Sequence, residues 1–140
     1  MPTFRVMNRS NAKRYCYQKH PETSAIISIS SWGDEQVQLF QTAQNRVKSI
    51  LRITFNDVGA DETGCMTRED AERIASFAKH IANRVDTIIV HCDAGVSRSA
   101  GTCAAIMKYL TGHDDQIFDN AFYKPNMYCY RLVIEAMYEN

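Results

Sequence analysis

No stretch of this 140-residue chain approaches the roughly 20 consecutive apolar residues that cross a bilayer, which excludes a membrane-spanning helix. The N-terminal run MPTFRVMNRS lacks the apolar centre of a secretory signal. An excess of either charge is missing too. Sixteen Lys plus Arg balance 16 Asp plus Glu, which removes the basic field that would make nucleic acid or an anionic membrane an obligatory partner. The 5 cysteines have no repeating spacing, which argues against a disulfide framework and for reduced thiols in a cytoplasmic setting. Neither they nor the scattered His20, His80, His91 and His113 have the paired spacing of a zinc site, so no metal and no cofactor is expected. Repeats, low-complexity tracts and Pro/Gly/Ser linkers are also absent. One domain over residues 1–140 is therefore expected, acting as a monomer.

What is present suits a globular core, with 45% hydrophobic and 23% charged residues. Phe4–Met7 reads as a short strand, and Ser10–Gln18 as a helix capped by Ser10 or Asn11. The β-branched run Ala25–Ser30 reads as a buried strand, Gln36–Asn45 fits neither period, and Ser49–Phe55 alternates like a strand. Thr67–Arg84 is the clearest helix, with Ala71, Ile74, Ala75, Ala78 and Ile81 on one face and Thr67 as its cap. Thr87–His91 is a further strand, and Ala100, Cys103, Ala104, Met107 and Leu110 form a helical stripe ended by Gly112. A short helix over Asp114–Ala121 and a last one with Pro125 in its first turn, running to about Tyr138, complete the set. This alternation predicts an α/β fold with a small, mostly parallel sheet of four to five strands flanked by helices.

Chemistry concentrates in His91-Cys92-Asp93-Ala94-Gly95-Val96-Ser97-Arg98-Ser99, placed between a buried strand and an amphipathic helix. A strand-loop-helix junction turns several backbone amides toward one point, with the positive end of the helix dipole behind them, which makes a cradle for a phosphate-sized anion. The loop from Asp93 to Ser97 would supply those amides, with Gly95 allowing the tight curl and Ala94 and Ser97 leaving the mouth open. The guanidinium of Arg98 can hold two phosphoryl oxygens in a fork. All of these favour negative charge at Cys92, beneath the phosphorus, and so favour a nucleophilic thiolate.

HCDAGVSRS resembles the active-site signature HCxxGxxR[ST] of the cysteine-dependent protein tyrosine phosphatase superfamily. Ile53-Thr54-Phe55-Asn56-Asp57 is similar to the strand and general-acid loop of dual-specificity phosphatases, and Lys124-Pro125-Asn126 to the start of their last helix. The likeness spans roughly residues 51–110 plus that helix; the first 45 residues match only in element order and resemble compact bacterial or phage-type phosphatases.

The resemblance implies a phosphatase acting on phosphotyrosine, and also on phosphoserine or phosphothreonine, in which Cys92 takes the phosphoryl group and water then removes it. It further implies that Arg98 binds phosphate and transition state, Ser99 supports the departing thiolate, and His91 orients the loop. A silent phosphate-binding module and a phosphatase for a nucleotide, an RNA 5′ end or another small phosphoester are the alternatives. The loop carries Asp93, Ala94 and Val96 where relatives that favour inositol phospholipids carry Lys, which disfavours a polyanionic lipid headgroup.

A general acid must protonate the leaving oxygen. Asp57 follows a strand whose end shares an edge with Cys92 if the sheet is parallel, while Asp61 and Glu62 are rivals in the same loop. The same geometry brings Trp32 and Arg9 to that edge, Trp32 to stack on an aromatic leaving group and Arg9 as a positive rim, or else Trp32 into the core and Arg9 into solvent. Residues 1–20 hold Arg5, Arg9, Lys13, Arg14 and Lys19 with no acid, either a solvated face or a basic rim for an anionic substrate. Cys65 and Cys103 read as ordinary thiols rather than as traps for oxidised Cys92.

Overall fold

A computed structural model describes residues 1–139 of the chain. Strands and helices alternate along it as β1 (Thr3–Met7), α1 (Arg9–Cys16), β2 (Ser24–Ser30), β3 (Val47–Thr54), α2 (Arg68–Ile81), β4 (Thr87–His91), α3 (Arg98–Thr111), α4 (Asp115–Phe118) and α5 (Met127–Tyr138). The strands form one four-stranded, wholly parallel sheet in the order β1-β4-β2-β3. The two inner strands, β2 and β4, are buried along their whole length, which is why AIISIS and TIIVH read as continuous runs with no polar face. Successive side chains serve opposite layers. Ile26 and Ile89 pack with Ala12 and Tyr15 of α1, and Ala25, Ile27, Ile29, Ile88 and Val90 join the larger core beneath α2, α3 and α5.

Several boundaries differ from the expected ones, each for a local reason. Helix α1 begins at Arg9, because Asn8 and not Ser10 or Asn11 is its cap, accepting from Asn11 N at 2.8 Å. Residues 36–45 form no regular element. Val37 and Leu39 are buried against α1 in an irregular segment, and the buried Asn45 amide closes it by donating to Cys16 O and Phe40 O. Thr67 caps α2 through a reciprocal pair with Asp70, and Gly112 ends α3 at φ +81°. Helix α4 is shorter than Asp114–Ala121. Pro125 lies before the cap of α5 and not within its first turn; Asn126 is the cap, and a Cβ at Gly101 of α3 would stand 2.5 Å from Asn126 O. That close approach pins the start of α5 to the start of α3.

All four strands run the same way, so Met7, Ser30, Thr54 and His91 end on one edge of the sheet. In a parallel sheet that carboxyl edge is where ligands gather.

Candidate active site

The segment from Cys92 to Ser97 leaves β4 at this edge and enters α3 at Arg98. Gly95 sits at φ +70°, and a Cβ there would lie 2.7 Å from the Met7 carbonyl carbon and from Asn8 N, so the loop can pass the β1–α1 turn only as glycine. Three of the five carbonyls from Asp93 to Ser97 are taken by neighbours of the loop. Arg9 N donates to Asp93 O at 3.0 Å, Lys124 N to Val96 O at 2.9 Å and Asn126 N to Ser97 O at 3.0 Å. Among the described residues, no backbone amide from Asp93 to Ser97 donates to a backbone acceptor. Carbonyls tied outward with amides left over is the arrangement of an anion nest.

Cys92 and Arg98 are buried, 2% and 5% exposed. Ser99 Oγ lies 3.0 Å from Cys92 Sγ, and Ser99 N donates to the same sulfur at 3.4 Å. Both hydrogen bonds of the Arg98 guanidinium leave from Nη1, to Ser31 Oγ and to Phe55 O, each at 2.8 Å. Its Nε is buried with no partner. The plane is thus fixed from one side while a charged donor stays unsatisfied, an expensive condition unless an acceptor arrives.

His91 links the loop to the sheet. Its Nδ1 lies 3.1 Å from Cys92 O, and because a carbonyl only accepts, Nδ1 carries the hydrogen. In the neutral ring Nε2 is then an acceptor, so the Ser28 hydroxyl donates to it at 2.6 Å. Burial pushes the imidazole below its ordinary pKa; the bond to Cys92 O works the other way, and the charges of Arg9, Arg52 and Arg98 add to the lowering. The unfolded chain, with an ordinary histidine near 6.5, therefore binds the proton first as pH falls. Stability conferred at neutral pH should decline as pH drops through about 6.5 toward the lower folded value, and then level off. Urea unfolding of the parent and of His91→Asn at pH 7.5 and 5.5 checks this, since the parent should lose more stability between the two values than the variant.

Asp57 is exposed, and its Oδ1 accepts from Ser97 Oγ at 2.8 Å and from Asn126 Nδ2 at 2.9 Å. It is therefore in direct contact with the loop that holds Cys92. Glu62 instead accepts from Gly59 N at 2.6 Å within its own turn, and Asp61 is an exposed residue at φ +64°. Trp32 stands at the same edge, 58% exposed, with its amide held by Asn56 Oδ1 at 2.9 Å, so it is not a core residue. Arg9 is half-buried and donates from Nη2 to Glu35 O at 2.6 Å.

The cysteines are free. Burial pushes the Cys103 and Cys129 thiols up to about 12, leaving them protonated, and Cys129 is the one on which Asp57, Arg98 and Cys92 act electrostatically. Cys65 stands apart, beside Tyr128. Sequence reasoning gave no role to Ser28, placed Ser31 only at the sheet edge that holds Cys92, and marked Asn126 only as part of the start of the last helix. The only available signal was Asn126 at the start of a helix, a cap position with an amide to spare. Among the described residues no group of three or more His, Cys, Asp or Glu is placed to hold a metal ion, and no helix is long and apolar enough to cross a membrane.

No family model and no curated protein matches the sequence. Solved structures do match the fold. Human DUSP28 superposes at a TM-score of 0.61 with 15% identity, covering 98% of this chain and 92% of its own. A mouse dual-specificity phosphatase complexed with zinc tungstate gives 0.61 at 16% identity, covering 93% and 79%. PTPMT1 in complex with PI(5)P gives 0.59 at 15%, covering 96% and 90%. The chain has the dual-specificity phosphatase fold. On this phosphatase fold the signature-like segment His91–Ser99 is the β4–α3 junction, and the neighbours extend over nearly the whole chain, including the first 45 residues that carry no motif.

Proposed function

We propose that the protein is a phosphatase that hydrolyses phosphotyrosine monoesters, and phosphoserine or phosphothreonine esters as well, through a cysteinyl-phosphate intermediate. The observation that carries this reading is the set of unsatisfied donors in the segment that links Cys92 to Ser99. Among the described residues the amides from Asp93 to Ser97 have no backbone acceptor and Arg98 Nε is buried without a partner, while Ser99, the next residue, brings its hydroxyl and its amide to Cys92 Sγ. Such a set suits a tetrahedral oxyanion, and tungstate, held by the mouse neighbour, is one.

In the first step Cys92 Sγ attacks phosphorus, the S–P bond forms as the P–O bond to the leaving group breaks, and Asp57 gives its proton to the departing oxygen. The two donors on Asp57 share Oδ1, which leaves Oδ2 free to carry that proton. In the second step a water gives its proton back to Asp57 and attacks phosphorus, and the thiolate departs toward the Ser99 hydroxyl. Arg98 and the loop amides hold the equatorial oxygens in both steps. Trp32, exposed at the rim, would stack on an aromatic leaving group.

Hydrolysis of para-nitrophenyl phosphate and of phosphotyrosyl, phosphoseryl and phosphothreonyl peptides tests the reading. Turnover that persists in EDTA and is inhibited competitively by vanadate supports it, since vanadate adopts the trigonal bipyramid of the transition state. Phosphate binding without turnover of any of these esters would overturn it.

A further inference from the structure

A cleft of about 540 Å³ opens on the α1 side of the sheet, lined by Arg9, Lys13 and Arg52 together with Glu35, Gln36, Val37 and Gln38. That volume falls within the roughly 300–1,000 Å³ of small-ligand clefts. Its position follows from strand register. Met7, His91, Ser28 and Arg52 pair in one row across all four strands, which puts Arg52 on the same sheet face as His91. Arg9 forms the near wall: its amide holds Asp93 O, and it lines a smaller recess with Asp34, Glu35 and Asp93. The cleft and the Cys92 loop therefore share a residue.

The cleft sets three cations against one carboxylate, that of Glu35, and none of the three is ion-paired among the described residues. Among the described residues the ion pairs involve His20 and Arg68, and none of Arg9, Lys13 or Arg52 has a carboxylate within 4.0 Å. Arg9 and Arg52 spend their hydrogen bonds on main-chain carbonyls, Arg9 on Glu35 O at 2.6 Å and Arg52 on Val37 O at 2.8 Å and Leu39 O at 3.3 Å. These bonds hold the guanidinium groups in place without neutralising them, which is preorganisation for an external anion. The signature-like loop carries no lysine, and the cleft brings three cations up to its Asp93 side.

The walls indicate what carries that anion. Gln36 and Gln38 are exposed while Val37 and Leu39, the alternate positions, are buried. The cleft thus offers side-chain amides that match the donors and acceptors of a peptide main chain, and its one apolar lining residue, Val37, is only 5% exposed, too little surface to hold an acyl chain.

We propose that this cleft binds a second anionic group, a phosphoryl or carboxylate group, of a phosphopeptide whose scissile phosphate lies over Cys92. The proposal rests on the phosphatase reading for its substrate and on the cleft alone for its anion site. Two measurements separate these. Lys13 is exposed on α1, makes no side-chain hydrogen bond and lies outside the Cys92 cradle, so Lys13→Glu reverses a cleft charge without disturbing the fold.

In the first measurement kcat/KM is compared for a phosphotyrosyl peptide with and without a neighbouring phosphoserine. The parent should favour the doubly charged peptide by about tenfold or more, the scale of one charge-assisted contact, and Lys13→Glu should erase the preference while para-nitrophenyl phosphate hydrolysis stays within about twofold. No preference, a preference retained in Lys13→Glu, or a stronger preference for vesicles carrying a phosphoinositide would each overturn the proposal. In the second, the Cys92→Ser protein is titrated with inorganic phosphate while the Arg9 and Arg52 Nε–H resonances are followed. They should shift with a saturation distinct from that of Gly95 N–H, and Lys13→Glu should weaken the shift. If the parent hydrolyses no ester the phosphatase reading fails, and the titration still decides the cleft: Arg52 resonances that do not move overturn it.

Discussion

Cys92→Ser should lower para-nitrophenyl phosphate turnover by at least about 10³-fold while phosphate still binds and the fold is unchanged. What touches the Cys92 sulfur decides the outcome. Its hydrogen-bonding neighbours are the Ser99 hydroxyl and the Ser99 amide, both donors toward an anion and neither a base. A thiolate needs no base at the moment of attack, whereas a serine hydroxyl at that point must lose a proton with nothing in reach to take it. Binding is a different matter, because the free loop amides and the Arg98 Nε do not depend on the sulfur. The variant has nearly the same volume in a site 2% exposed, so packing gives no reason for unfolding. Steady-state hydrolysis together with phosphate binding followed by Trp32 fluorescence measures both halves. Activity within about tenfold of the parent would remove Cys92 from the nucleophile's role.

The part of this site that the sequence displays is the part that is contiguous. His91 to Ser99 carries the proposed nucleophile, its cradle and the guanidinium in nine successive residues, and a strand-loop-helix junction is legible from the apolar run before it and the helical stripe after it. What holds those groups in place comes from far along the chain. Ser28 and His91 are 63 residues apart, Ser31 and Arg98 are 67 apart, and Asp57 and Asn126 are 69 apart. Serine and asparagine at strand and helix ends have ordinary local uses as caps and turns, so nothing in their own neighbourhoods marks them as partners.

The fold divides the same way. The inner strands are visible because burial on both faces demands unbroken apolar runs. Residues 36–45 are opaque because Val37 and Leu39 are buried by an irregular segment whose backbone is satisfied by Arg52 and by the Asn45 amide, partners that no periodicity encodes. The cleft cations are opaque for a related reason: Arg9 and Lys13 are four residues apart on α1, but Arg52 joins them only through the parallel register of β3 with β2, of β2 with β4 and of β4 with β1.

Asp57→Asn should slow hydrolysis of a phosphotyrosyl peptide by about 10²- to 10⁴-fold, the range of a general-acid contribution. Structural damage is a poor rival explanation for such a loss. The wild-type carboxylate receives both of its hydrogen bonds on Oδ1, from Ser97 Oγ and Asn126 Nδ2, and an asparagine carbonyl oxygen can accept the same two. The tie between the acid loop, the signature-like loop and the start of α5 is therefore kept, and what is lost is the proton on the other oxygen. The effect should scale with how badly the leaving group needs that proton: largest for an alkyl oxygen such as phosphoserine, large for phosphotyrosine, and smallest for para-nitrophenolate, which departs readily as an anion. Asp61→Asn and Glu62→Gln are the controls, since Glu62 is engaged with Gly59 in its own turn and Asp61 is an exposed turn residue. If either control reproduces the leaving-group dependence and Asp57→Asn does not, then the contact between Asp57 and Ser97 only braces the loop, and the proton comes from elsewhere in residues 57–62.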